Sequence, residues 1–506
     1  MSFVRNVPAF SILLLIFSGV ICLPLNRKWA ARIASAAFVL TAAANILLFV
    51  RFTGGMGSFT YSMGHFPAPY GNELRAGMLE AALASLFCVI CLLSVMGGRN
   101  HIEHDIPGKK GNMYYISVIF LLCSMLALVY TNDLFTAYVF IEINTITACA
   151  IVMSKNDGRT LAATMSYLIM SLIGSGLFLI GVCIIYGVTG HLLMSPIQSF
   201  IAALPADSPY FTPINVSIAL FAVSMSIKSA LWPFSFWLPD AHGNATASSS
   251  SILSGLVLKA YIVTLIKIFY RVIGIDVVKA SGVCDIILIV GVCAMIAGSL
   301  KALKENNLKR MLAFSSIAQI GYVFCGIGLA SRLGMAAAII QIGVHAATKS
   351  LLFTTAGGFM DTRGGSRKIS DMYGAAKDDP FAGLGFITGS MSMIGIPLFA
   401  GFVTKYALVL GALNADGWRM PFTVCGIILS AVLTAIYYTR TLARLYRSPE
   451  DPDGAGKRFA RLKEIAAGLS KEYIIAVIAL IIINFAIGLN TDKIIVMIET
   501  GLDMFA

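Results

Sequence analysis

The chain of 506 residues is 58% hydrophobic and only 12% charged, where a soluble domain carries about 25%. Long apolar runs recur from end to end, each near the roughly 20 residues that carry a helix across a bilayer, and no stretch is long and polar enough for a soluble domain. That excludes an ordinary soluble protein, and the net charge of +12 then points to basic loops on one membrane face rather than to nucleic acid.

Hydropathy along the chain predicts about 14 spans. They fall near 8–24, 31–51, 77–97, 113–130, 134–153, 161–187, 215–232, 251–271, 282–300, 311–330, 333–358, 381–413, 421–445 and 472–490. The first run, Phe10–Leu23, lacks a small-residue cleavage site and is followed at once by another apolar run, so it reads as a span and not as a signal peptide. Loops after odd-numbered spans hold Arg27, Lys28, Arg99, Lys109, Lys110, Lys155, Arg159, Lys304, Lys309, Arg310, Arg363, Arg367, Lys368, Lys457, Arg458 and Arg461. That side is therefore expected to be cytoplasmic, with both termini outside a prokaryotic cell (inner) membrane.

The cysteines sit in apolar runs (Cys88, Cys91, Cys123, Cys149, Cys183). Cys88-Val-Ile-Cys91 has redox or metal spacing but lies mid-span without further ligands nearby, so buried, inert thiols are expected and no metal site. No glycine pattern of a nucleotide site follows a strand. No cofactor is expected.

Two spans look broken. The seventh runs into Ile227-Lys-Ser-Ala-Leu-Trp-Pro-Phe-Ser-Phe-Trp-Leu-Pro239, and the twelfth contains Gly395-Ile-Pro-Leu-Phe-Ala-Gly-Phe-Val-Thr-Lys-Tyr406. Proline removes a backbone donor, and the freed carbonyls must face protein or water. A lysine at each break, five spans apart, suggests two inverted five-helix repeats with ion sites at the breaks. The expected architecture is all-α: three N-terminal spans (1–112), a first repeat (113–271, spans 4–8), a second (282–446, spans 9–13), and a final helix with a short tail (472–506).

The informative residues are ionisable groups inside spans, where a charge costs about 2.5–3.5 kcal/mol on insertion scales. They are Glu142, Lys228, Lys259, His345, Lys349 and Lys405, with Glu80 in the third span. Glu142 falls roughly 12 Å of helix rise into its span, and Lys228 about 13 residues into the seventh. The two are candidates for a buried ion pair whose separation would decide whether Lys228 holds its proton, since an opposite charge favours the ammonium and burial disfavours it. His345 and Lys349 stand four apart on one helix face. The series Glu, Lys, Lys, His, Lys suits lateral proton relay. Taken singly, each charge also fits a helix–helix staple or a snorkelling side chain. Glu80 stands alone, and Lys349 is the weaker member. His101 and His104 lie in a charged loop and read as solvated, and Ser248–Ser251 reads as the cap of span 8.

These residues sit in long strings. Asp133-Leu-Phe-Thr-Ala-Tyr-Val-Phe-Ile-Glu142, Ile227–His242, Leu253-Ser-Gly-Leu-Val-Leu-Lys259, Leu308–Tyr322, His345-Ala-Ala-Thr-Lys349 and Gly395–Lys405 resemble spans 5, 7, 8, 10, 11 and 12 of the antiporter-like subunits shared by respiratory complex I, Mrp-type sodium/proton antiporters and membrane-bound hydrogenases. The resemblance covers at least residues 113–445. It implies that Glu142 and Lys228 form a modulating pair, that Lys259 and His345 act as central relay, and that Lys405 leads outward or to a neighbouring subunit. Two departures stand out: residues 245–251 read Ala-Thr-Ala-Ser-Ser-Ser-Ser where the family usually has prolines, and Ser166 precedes Tyr167 where the family often has lysine.

The sequence runs only a short way past span 14, so the lateral helix of the largest complex I antiporter-like subunit is not expected, and Lys405 speaks against the middle one. Gly64-His-Phe-Pro-Ala-Pro-Tyr-Gly71 is similar to the D-type subunit of Mrp antiporters and its hydrogenase-complex relatives. The resemblance thus implies a proton-translocating subunit packed beside other antiporter-like and small membrane subunits, with any sodium path elsewhere in the complex. The alternative is a pumping subunit of a membrane-bound hydrogenase or a ferredoxin- or NADH-oxidising complex. A purely structural membrane subunit and an independent solute carrier are the readings from other classes.

Overall fold

An apolar run in lipid has no outside partner for its peptide groups, so each span closes its own backbone bonds as a helix. The computed structural model describes residues 2–66, 71–447 and 468–505. Its spans are Ser2–Ile21, Arg27–Thr53, Met78–Gly97, Gly111–Tyr130, Leu134–Met153, Gly158–Thr189, Phe211–Lys228, Ala247–Ile273, Val283–Lys304, Leu308–Gly328, Arg332–Thr362, the split pair Pro380–Ile394 and Ala400–Leu413, Arg419–Tyr446 and Lys471–Leu489. Pro67, Ala68, Pro69 and Tyr70 of the string at 64–71, and the basic residues Lys457, Arg458 and Arg461, lie outside the described residues.

Burial sorts the spans into an inner group and a rim. In the eighth, tenth and eleventh almost every residue is covered by protein, whereas the first, second, sixth, thirteenth and fourteenth are less than half covered. Rim positions such as Ile146, Ile169, Ile286 and Ile482 are exposed and apolar, as a hydrocarbon solvent requires. The polar side chains gather inside.

Spans 9 and 10 pack closest. A Cβ on Gly298 would stand 2.6 Å from the Ala318 nitrogen, and one on Gly321 the same distance from the Met295 nitrogen. Without a hydrophobic force between helices in lipid, this close backbone approach supplies the attraction through dispersion.

Four features depart from the sequence expectation. The helix of span 7 begins at Phe211 and ends at Lys228, so that lysine is its last residue and not a mid-span one. Thr246, not the serine run, caps span 8: its hydroxyl accepts from the Ser249 amide, and Ser248–Ser251 lie inside the helix. A hairpin pairs Phe59–Ser62 antiparallel with Glu73–Ala76 between spans 2 and 3, with Phe59 opposite Ala76. The tail after span 14 is itself a helix, Thr491–Phe505, that buries Ile498, Leu502 and Phe505.

That last helix explains Glu80, which does not stand alone. Arg271, fully buried at the end of span 8, donates from Nη2 to Glu80 and from Nε to the Phe505 carbonyl, with its guanidinium 4.1 Å over the Phe505 ring. Arg75 donates to the Met504 carbonyl at 2.9 Å, and Arg332 pairs with Asp503 at 2.8 Å. Lys267, one turn before Arg271, donates to the carbonyls of Leu128, Val129 and Thr131 and closes the end of span 4. This polar knot fastens the C-terminal helix to the face that carries the hairpin. Its charges are paired, and it reads as structural.

Candidate polar axis through the inner spans

The break in span 7 lies between Lys228 and the next helix, Trp237–Asn244, with Pro233 in the gap, where it cannot continue a helix, and Pro239 tolerated in the first turn of the helix that follows. It leaves Lys228 at the C-terminal, electronegative end of a half-helix, a favourable place for a cation. The side chain is fully buried. Its Nζ donates to the Thr145 hydroxyl at 3.0 Å, stands 4.0 Å from Oε1 of Glu142, and lies 5.3 Å from the centre of the Tyr261 ring. Thr145 is one turn from Glu142, so a single face of span 5 presents carboxylate and hydroxyl together. The Tyr261 hydroxyl meets Thr145 at 3.3 Å and Asn144 at 3.2 Å, which ties the pair to span 8. Space for the lysine stem comes from Gly174, where a Cβ would come within 3.1 Å of Lys228 Cγ.

Span 8 widens to a π-helical turn at Leu253–Val257, and such turns leave a carbonyl without its usual partner. The Ser254 carbonyl accepts from Lys259 Nζ, which is likewise fully buried. The Ser254 hydroxyl reaches Ser316 of span 10 at 2.8 Å. Lys349 donates to the Leu312 carbonyl at 2.9 Å and contacts the Tyr438 hydroxyl at 3.5 Å. No bond joins it to His345 among the described residues. His345 is fully buried with neither ring nitrogen hydrogen-bonded, close enough to Lys259 and Lys349 to interact through their charges.

Lys405 sits at the second break. The half-helix Pro380–Ile394 ends on Gly395, whose φ of +90° suits glycine and whose missing Cβ makes room for the lysine stem. Its Nζ donates to the freed carbonyls of Met393, at 3.0 Å, and Ile394, and lies 5.4 Å from the Tyr322 ring. Lys405 and Glu142 are the two members that are not fully enclosed.

The structure therefore brings Glu142 to Lys228, and gathers Lys259, His345 and Lys349 around the inner spans. It adds residues that sequence reasoning passed over. His242, at the end of the quoted span-7 string, is buried with both nitrogens unpartnered and stacks on Phe353 at 4.8 Å. Lys309 is buried and donates to the Ala245 carbonyl. Lys267 and Arg271 follow Lys259 at eight and twelve residues, one helix face, and that spacing was the available signal. His101, expected in solvent, is buried with Nε2 3.1 Å from Asp361, because the loop folds as a short helix, Arg99–Asp105, against the inner spans. His104 is exposed. Cys88 and Cys91 are buried as expected, and no cluster of three or more metal-ligating side chains occurs among the described residues.

Comparison with known proteins shows the family. The chain is 31% identical to the N-type subunit of the NADH-quinone oxidoreductase of Desulforudis audaxviator, over 76% of its own length and 75% of that protein. It is 29% identical to the D-type subunit of the Na(+)/H(+) antiporter of Alkalihalophilus pseudofirmus, over 69% of each. Its fold superposes on a chain of the Mrp complex from Dietzia sp. DQ12-45-1b with a TM-score of 0.85 at 22% identity, covering 99% of this chain and 97% of that one. The family described as NADH:quinone oxidoreductase/Mrp antiporter, TM, matches residues 131–430, and this chain belongs to that family of antiporter-like membrane subunits.

Proposed function

We propose that this chain is the proton-translocating, antiporter-like subunit of a multisubunit cation/proton antiporter of the Mrp type. Protons pass along Glu142, Lys228, Lys259, His345 and Lys405, with Lys349 in support. The observation that carries this reading is the set of inward-facing amines at helix irregularities: Lys228 beside Thr145 and the Glu142 carboxylate, Lys259 on the Ser254 carbonyl of the π-helical turn, and Lys405 on the carbonyls freed by the second break. A merely structural charge would sit in a closed pair, as Arg271 does with Glu80. Here Glu142 is 4.0 Å from Lys228 with Oε1 otherwise unbonded, a separation that a small shift of either span would open or close. Spans 4–8 and 9–13 act as two inverted repeats, each with its broken helix at the ion site. The basic face is cytoplasmic, both termini are outside, and the membrane is the prokaryotic cell (inner) membrane. Other membrane subunits flank Glu142 and Lys405, the two partly open ends of the axis.

Sodium requires oxygen ligands such as carboxylates, and the inner charges here are mostly lysines, so any sodium path belongs to a partner subunit. Sodium binding to this subunit, lost in Glu142→Gln, would overturn that assignment. The similarity to an NADH-quinone oxidoreductase subunit supports a second reading, a pumping subunit driven by a redox reaction in its partners.

The test is proton uptake by inverted membrane vesicles holding the whole complex, with Lys259→Ala compared with the native chain at matched assembly. Loss of uptake supports the axis. Native-level uptake makes Lys259 structural and moves the ion path to another subunit.

A further inference from the structure

The second break is the loop 395–399 between the half-helices Pro380–Ile394 and Ala400–Leu413. Non-helical backbone inside a membrane protein persists only where protein or water satisfies it. Within the loop Leu398 has a φ of +78°, a region that a bulky side chain rarely enters and that survives only where its surroundings enforce it. Span 14 supplies those surroundings. We infer that Asn484 of span 14, acting through Thr348 and Ser392, is a positioning residue that holds the carbonyl seat of Lys405. The inference rests on the relay proposed above, in which Lys405 forms the outward end.

The first turn of a helix leaves amides without intrahelical partners, and Phe399, which precedes the second half-helix, has no side chain to cap them. Ser392, in the last turn of the first half-helix, does so instead: its hydroxyl accepts from the Gly401 amide at 3.0 Å. Ser392 meets the Thr348 hydroxyl of span 11 at 3.2 Å, and Thr348 donates to Oδ1 of Asn484 at 2.7 Å. The Asn484 nitrogen donates to the Leu480 carbonyl at 2.9 Å, which turns its oxygen toward Thr348. Because Thr348 gives its proton to Asn484, Ser392 gives its own to Thr348, and every bond runs one way from Gly401 to Asn484. All three side chains are fully buried. Span 14 also meets the loop twice more. The Phe485 ring lies 4.9 Å from that of Phe399, and Gly488, lacking a Cβ, lets the Leu398 carbonyl come up against the backbone of the span.

Ser392 is followed directly by Met393 and Ile394, whose carbonyls receive Lys405. Thr348 stands on span 11 between His345 and Lys349. The bonds therefore join the two halves of span 12 to each other, to the helix of the central histidine, and to span 14. Hydroxyl and amide side chains are the groups that fasten helices to one another where lipid offers no hydrophobic force. Carbonyls hold an ammonium well only when they converge on it, and a misplacement of about 1 Å in such a geometry costs up to about a hundredfold in rate. Asn484 acts on the seat and not on the proton.

The experiment uses the whole complex at matched assembly and reads two quantities. One is proton uptake by inverted vesicles; the other is reductive methylation of Lys405, with the exposed Lys279 as internal control. Thr348→Val, which keeps the shape and removes the hydroxyl, is expected to slow uptake at least about tenfold. It is also expected to raise methylation of Lys405 several-fold, because an amine loosened from its carbonyls reacts more readily. Thr348→Ser, which restores the hydroxyl, is expected to bring both readouts back close to native. Asn484→Ala should act as Thr348→Val does, and it carries the test where that variant fails to assemble. Native uptake in both Thr348→Val and Asn484→Ala, or slowed uptake with unchanged methylation of Lys405, would overturn the inference. Lys405→Gln run alongside separates the two claims: if it is inactive while the other variants are native, only the positioning role falls, and if it transports normally the relay through Lys405 is wrong.

Discussion

The two broken spans solve one problem in different ways. Each sets a lysine amine at the C-terminal end of a half-helix, where the helix dipole favours positive charge. Lys228 is the last residue of its own half-helix and looks outward, to a hydroxyl and a carboxylate on span 5. Lys405 follows its break and reaches back to the carbonyls that the break set free. The first ammonium thus depends on a neighbouring helix and on a titratable partner, while the second is held by backbone that cannot change its charge. Movement of span 5 against span 7 would therefore act on Lys228 and leave Lys405 alone, which under the proposed relay makes the Glu142 side its sensitive end.

The sharpest way to break this comparison is to remove the first lysine. Lys228→Ala is expected to lower proton uptake by at least about a hundredfold, since it deletes a carrier and leaves Glu142 without its partner. Uptake in vesicles at matched assembly reads it, and a native rate would make Lys228 a staple. Glu142→Gln, which keeps shape and removes charge, is expected to cost about tenfold in the same assay. Lys405→Gln should preserve assembly, because an amide also donates to the Met393 and Ile394 carbonyls, yet it should abolish transport through the outward end. The comparison sharpens if its assembled yield matches the native chain while its rate does not.

A smaller effect on transport, but a large one on stability, is expected at Glu80. Breaking a buried pair by removing one partner costs about 3–5 kcal/mol, so Glu80→Ala should lower the thermal midpoint of the purified complex markedly. Complexes that do assemble should pump at the native rate. A specific loss of transport would join Glu80 to the axis. The smallest change is expected for Gly298→Ala, which obstructs the close approach of spans 9 and 10 and should lower stability without altering ion coupling.

Much of this protein is determined by sequence alone, because lipid is a severe solvent. Only helices satisfy their backbone there, so hydropathy located the fourteen spans, and prolines beside Lys228 and before Lys405 located both breaks. Charges are rare enough in spans that Glu142, Lys228, Lys259, His345, Lys349 and Lys405 could be singled out, although Lys267 and Arg271 were passed over, and the strings around Glu142, Lys228, Lys259, His345 and Lys405 carried the family resemblance. Partners are another matter. Glu80 looked solitary because Arg271 lies 191 residues away in sequence and only packing of spans 3 and 8 brings them together. The burial of His101 depends on a short helix folding against the inner spans, and the isolation of His242 and His345 from any hydrogen bond depends on which faces meet. Sequence periodicity does not report a π-helical turn either, so it could not say that Lys259 would find the Ser254 carbonyl. The one-dimensional chain named the costly charges; the contacts that offset their cost join distant segments, and only tertiary packing could decide them.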